Sequence, residues 1–91
     1  MKFRITRHAT ASPPDDALDL LTSRIGKRRD GVRFTRVGSE IRASVEGDEP
    51  VAMTLDERQD IGRRAVLEIV EEVCDRAPEL KLDWYAVSPA R

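Results

Sequence analysis

The chain is poor in the residue types on which most small-domain chemistry depends. It has one cysteine, Cys74, and one histidine, His8. A single cysteine excludes an internal disulfide, and Cys74 with His8 cannot supply the four ligands of a zinc knuckle. Aromatic residues make up 4% of the 91 residues. Only Phe3, Phe34, Trp84 and Tyr85 are available, too few for a platform on which nucleic-acid bases stack. No apolar run approaches the ~20 residues of a membrane-spanning helix, so no membrane role is expected. The net charge is −1, so no overall field draws the chain to nucleic acid or anionic lipid. Residues Lys2 to His8 alternate in polarity and lack the apolar stretch of a signal peptide. Together with the lone thiol, this makes a cytoplasmic protein the expectation.

What is present describes one small globular domain over residues 1–91, with 88–91 as a tail. The chain is 40% apolar and 36% charged, enough for a core and outside the disordered range. The charge is divided. Residues 1–46 hold ten Lys/Arg and six Asp/Glu, whereas residues 47–91 hold six and eleven. An acidic helix beside basic strands accounts for that split, and a bipolar surface that orients a partner is the sharper reading.

Periodicity assigns the elements. Lys2–His8 alternates as a half-buried strand with Phe3 and Ile5 inward. Ser12 is placed to cap a helix from Pro14 to Ile25, with prolines in its opening turn and Gly26 at its end. Leu18, Leu21 and Ile25 form its apolar stripe. After the basic loop Lys27–Asp30, Val32 and Phe34 mark a second strand, Gly38-Ser39 a tight turn, and Ile41, Ala43 and Val45 a third strand. Gly47-Asp48-Glu49-Pro50 breaks that strand, and Val51 and Met53 are expected to tuck under the domain.

Thr54-Leu55-Asp56-Glu57 fits a capping box in which Glu57 reaches back to the N-cap amide. It opens a long helix that stops near Ala77, before Pro78. Its stripe is Leu55, Gly62, Val66, Ile69, Val70, Val73 and Ala77. Gly62 costs about 1 kcal/mol of helix propensity, which close approach of the helix backbone to the sheet would justify. A fourth strand is expected with Leu80, Leu82, Trp84 and Ala86 inward and Lys81, Asp83, Tyr85 and Val87 outward.

The order strand, helix, strand, strand, helix, strand is the α+β, ferredoxin-like βαββαβ arrangement. Right-handed crossovers place both helices on one face of a four-stranded antiparallel sheet of order 4-1-3-2. The expected core is Phe3, Ile5, Leu18, Leu21, Ile25, Val32, Phe34, Ile41, Ala43, Val45, Val66, Ile69, Val70, Val73, Leu82 and Trp84.

Such a sheet leaves its other face open. The alternation places there Lys2, Arg4, Thr6, His8, Arg33, Thr35, Glu40, Arg42, Ser44, Glu46, Lys81, Asp83 and Tyr85. A solvated face with cross-strand charge pairs is the ordinary account. The alternative is a nucleic-acid-binding module using Arg4, Arg33, Arg42, Lys81 and Tyr85, with Arg28 and Arg29 as phosphate contacts.

No catalytic, cofactor or metal site stands out. The loop Ala9–Asp16 holds no cysteine, glycine or arginine, so it offers neither a soft metal pair nor a phosphate cradle. His8 lies near Asp15 and Asp16, but no serine or cysteine nucleophile is placed beside it. Cys74 has Glu71, Glu72 and Asp75 as neighbours, the wrong sign for a reactive thiolate. The acidic run Asp48, Glu49, Asp56, Glu57 and Asp60 lacks the spacing of a calcium loop. Arg24, Lys27, Arg28 and Arg29 sit where cations complement a helix C-terminus.

Three apolar residues lie off the stripes. Leu20 is about 200° around the first helix from Leu18, and Ile61 and Leu67 flank the stripe of the second. With Arg64 and Glu68 as a rim, they suggest a patch on the helical side for another protein or a second copy. The expectation is therefore a small, non-enzymatic interaction or self-associating domain.

Overall fold

A computed structural model describes residues 1–46 and 53–90. The break at Gly47–Pro50, Val51 and Arg91 lie outside the described residues. The fold is α+β, with five strands and two helices among the described residues. In chain order these are β1 (Lys2–Arg7), α1 (Ala17–Ile25), β2 (Arg28–Arg29), β3 (Val32–Val37), β4 (Glu40–Val45), α2 (Leu55–Arg76) and β5 (Tyr85–Pro89). Short 3₁₀ turns occupy Ala9–Ala11 and Leu82–Trp84. The strands form one antiparallel sheet in the order β2-β3-β4-β1-β5.

Period-two alternation fixes which face is covered. Phe3 pairs with Ala43, Ile5 with Ile41 and Phe34 with Ala43, and all are buried. Leu18, Leu21 and Ile25 of α1, with Val66, Ile69, Val70 and Val73 of α2, close over them, and the helices touch each other. Two hairpins hold the register. Gly38-Ser39 joins Val37 to Glu40, and Asp30-Gly31 joins Arg29 to Val32. Asp30 and Gly31 both have positive φ, 51° and 78°, as a type I′ turn requires. That turn creates β2, so the sheet has five strands where four were expected. β3, expected at the edge, is covered over its first residues by β2.

Helix α1 starts at Ala17, not Pro14, with Asp16 rather than Ser12 at its N-cap. Ser12 adopts a left-handed φ of 46°. Pro14 holds Pro13 out of the helical region, so the helix begins only beyond the proline pair. In α2 the Thr54 hydroxyl accepts the Glu57 N–H at 3.2 Å. The Glu57 carboxylate accepts from the same hydroxyl at 3.1 Å, where the capping box had it reaching the amide.

Gly62 stands directly over Phe3, so the close approach expected at that glycine is present. Because Phe3 is near the start of β1, the first turns of α2 project beyond the sheet. Leu55, expected on the buried stripe, is accordingly 59% exposed. Met53 is half-buried.

The largest correction is at β5. Leu82–Trp84 coil into a 3₁₀ turn closed by Trp84 N–H to Lys81 C=O at 3.0 Å. The strand that follows buries Tyr85 and Val87, the opposite parity to that expected. The Tyr85 hydroxyl donates to the Ala17 carbonyl at 2.7 Å, which satisfies it inside the core. Leu82 and Trp84 are half-buried against the core, as is Val45. Ala17, Cys74, Ala77, Leu80, Tyr85 and Val87 complete the core. Ser88 and Pro89, read as tail, extend β5 and pair with Arg4 and Phe3. Among the described residues, no helix is long and apolar enough to cross a membrane.

Candidate functional site

The open face is built by the outward residues of β1, β3 and β4 and by Arg28 of β2. Register sets Arg4 opposite Arg42 and Arg28 opposite Arg33. Like charges in directly opposed positions repel. Two carboxylates offset this. Glu46 accepts from Arg28 at 2.7 Å and lies 2.6 Å from Arg33, and Glu40 lies 2.8 Å from Arg42. Arg4 donates only to the Ser88 hydroxyl, at 3.3 Å, and makes no ion pair among the described residues. Arg4, Glu40, Arg42, Pro89 and Ala90 line a depression of about 250 Å³.

Of the seven residues of the nucleic-acid alternative, Arg4, Arg28, Arg33 and Arg42 share this face. The other three do not. Arg29 alternates to the helical side and donates to the Ile25 and Arg24 carbonyls at the end of α1, at 3.3 and 3.2 Å. Lys81 is exposed in the segment before the 3₁₀ turn, outside the sheet. Tyr85 faces inward and is 5% exposed, because the turn at Leu82–Trp84 resets the parity. Its ring meets Trp84 edge-on, centroids 6.4 Å apart. Phe3 and Phe34 are buried as well, and Trp84 packs half-buried against the core. The register therefore places no aromatic ring on the open face.

On the helical side, Leu20 and Leu67 are half-buried and pack on the core, whereas Ile61 is 50% exposed. Arg64 pairs with Asp60 at 2.7 Å, one helical turn away. Glu68 borders a depression of about 300 Å³ with Asp30, Ala65, Ile69 and Glu72. Leu67 borders a different one, of about 410 Å³, with His8, Thr10, Ala11, Leu82, Asp83 and Tyr85. Leu67 and Glu68 thus face separate hollows. Ile61, Arg64 and Glu68 share one exposed line at i, i+3 and i+7 along α2.

The hollow beside Leu67 gathers what the sequence left apart. His8 Nδ1 and Thr10 Oγ1 are 2.7 Å from each other. That pairing could have been read from the i, i+2 spacing at the end of a strand. Both residues are exposed, so the pair is not shielded from water. Cys74 is buried, and burial, then the charge of Asp75, pushes its thiol up from 9.0. Burial, then Cys74 and Asp16, pushes the Tyr85 phenol well above its usual range. Both are core groups held neutral. Among the described residues, no three His, Cys, Asp or Glu side chains are grouped to hold a metal ion. No family model matches the chain, and no curated protein and no solved structure matches it.

Proposed function

We propose that this is a non-enzymatic interaction domain that acts through its helical side, with a second copy of the chain as its partner. The fold beneath it is read as ferredoxin-like, β1-α1-β3-β4-α2-β5, with β2 added at one edge. The observation that carries the reading is the exposed line Ile61, Arg64 and Glu68 on α2. A two-fold axis across α2 reverses its direction, and with the axis midway between them each Arg64 would stand opposite Glu68 of the second copy. Such a contact is self-complementary in charge. Ile61 supplies exposed apolar surface on the same line, and half-buried Leu67 and Leu20 add apolar area to the helical layer.

A charge swap tests the pairing. Arg64→Glu sets carboxylates against each other and is expected to weaken self-association roughly tenfold. Adding Glu68→Arg to it restores the complementarity with the signs exchanged, and association should return. Association that ignores the first change, or that the second does not rescue, places the interface elsewhere.

A second reading is nucleic-acid binding on the open face, favoured by Arg4, which has no carboxylate partner among the described residues. Arg28 and Arg33 share Glu46 and Arg42 pairs with Glu40, so these three arginines leave only one uncompensated positive charge. This reading therefore rests on fewer free cations than the sequence suggests.

A further inference from the structure

We propose that the outer edge of β3, from Phe34 to Val37, takes up an extended acidic segment of another protein as an added strand. The first half of that edge is occupied. Arg28 and Arg29 pair with Arg33 and Val32, and the Phe34 N–H reaches the Lys27 carbonyl at 2.9 Å. The chain then turns away at Gly26, whose φ is +79°. Among the described residues, nothing pairs with the outer side of β3 beyond that point; only its inner side is taken, by β4.

Backbone groups in an antiparallel strand point to alternate sides. The Phe34 N–H points outward, so the N–H and C=O of Arg36 do too. A hollow of about 580 Å³ lies along this stretch, between Gly26 and Lys27 on one side and Phe34, Thr35 and Arg36 on the other. Val37, at the end of the strand, is 46% exposed. An edge with free backbone groups, a hollow beside it and an exposed apolar side chain is what strand addition requires.

The opposite edge of the sheet is guarded. On β5 the Arg63 side chain donates to the Val87 carbonyl at 2.9 Å, and Pro89 has no N–H.

Charge selects the occupant. Lys27, Arg33 and Arg36 line the hollow at the free edge, and Arg28 follows on β2 opposite Arg33. Asp19 pairs with Arg36 and Glu46 with Arg28 and Arg33, while Lys27 makes no ion pair among the described residues. The edge is left net positive. Two copies of β3 laid edge to edge would set these cations against each other. The side chains that oppose self-pairing are the ones an acidic strand satisfies.

The probe is a capped, fluorescent heptapeptide alternating valine and glutamate, with a valine–lysine counterpart as control. Saturable binding at low salt is expected, with amide shifts centred on Thr35 to Val37 in ¹H–¹⁵N spectra. The lysine peptide should not bind. Lys27→Glu, at an exposed position that leaves the core intact, should weaken binding about fivefold. Alternate N-methylation of the peptide should abolish it. No saturable binding at millimolar peptide, equal binding of the lysine peptide, or shifts confined to α2 or the His8 hollow would overturn the proposal.

Discussion

A methyl group at Gly62 would stand 2.6 Å from Cζ of Phe3. Phe3 is fully buried, so its ring cannot swing out into solvent and must press on its core neighbours. Gly62→Ala would gain about 1 kcal/mol of helix propensity, but forcing the ring aside costs roughly 1–3 kcal/mol. The variant is expected to be destabilised in urea unfolding. A gain in stability would mean that α2 does not approach β1 this closely.

The bond from Tyr85 to Ala17 gives a second test. Tyr85→Phe removes the second hydrogen bond on the Ala17 carbonyl, which as the first residue of α1 keeps its helical partner, and should cost about 0.5–1.5 kcal/mol at neutral pH. The pH dependence follows from the raised phenol. The folded state favours the neutral form, so this stabilisation is complete below the ordinary value of 10.0 and is lost as pH rises above it. Cys74, raised from 9.0, starts the decline somewhat earlier. Stability should be flat up to about pH 9 and then fall, by up to about 1.4 kcal/mol per pH unit for each group. Tyr85→Phe should flatten the fall above pH 10. An unchanged slope would place the hydroxyl in solvent.

Glu46 holds apart two arginines that register sets face to face. Glu46→Gln should lower stability by about 0.5–1 kcal/mol in low salt. In about 0.5 M salt the difference should shrink towards zero. A loss that salt does not change would point to packing rather than charge.

The open face carries cations and no ring. Any affinity for single-stranded oligonucleotides should therefore come from Arg4, Arg28, Arg33 and Arg42 and be indifferent to base identity. With at most four phosphate contacts, log affinity against log salt should slope no more steeply than about −3. Strong base preference would contradict the inward placement of Tyr85.

Most of the architecture was legible because periodicity was unambiguous. Phe3/Ile5, Val32/Phe34 and Ile41/Ala43 alternate against polar neighbours, so β1, β3 and β4 face the way the pattern demands. The helical stripes, Leu55 apart, and the role of Gly62 followed in the same way. The C-terminal segment is different, because both of its parities are apolar: Leu82, Trp84 and Ala86 on one, Tyr85 and Val87 on the other. Alternation cannot choose between them. The choice depends on a 3₁₀ turn and on a distant acceptor, the Ala17 carbonyl, neither of which has a local signature.

The same slip misplaced Tyr85 and Lys81 among the candidate contacts. β2 escaped notice because Arg28 and Arg29 carry no hydrophobic pattern, and its pairing is imposed by the Asp30-Gly31 turn. Arg29 turned away from the open face for that reason. Of the helical-side candidates, Ile61, Arg64 and Glu68 could be placed on one line from spacing alone. The separation of Leu67 from Glu68 required the hollows themselves.

Solution mass, followed by light scattering across a concentration series, tests the interaction reading most directly. The expected result is a mass that rises from one chain towards two, and an Ile61→Lys variant that stays at one chain while remaining folded. A mass of one chain at every concentration, or a dimer that Ile61→Lys leaves intact, would contradict self-association through α2.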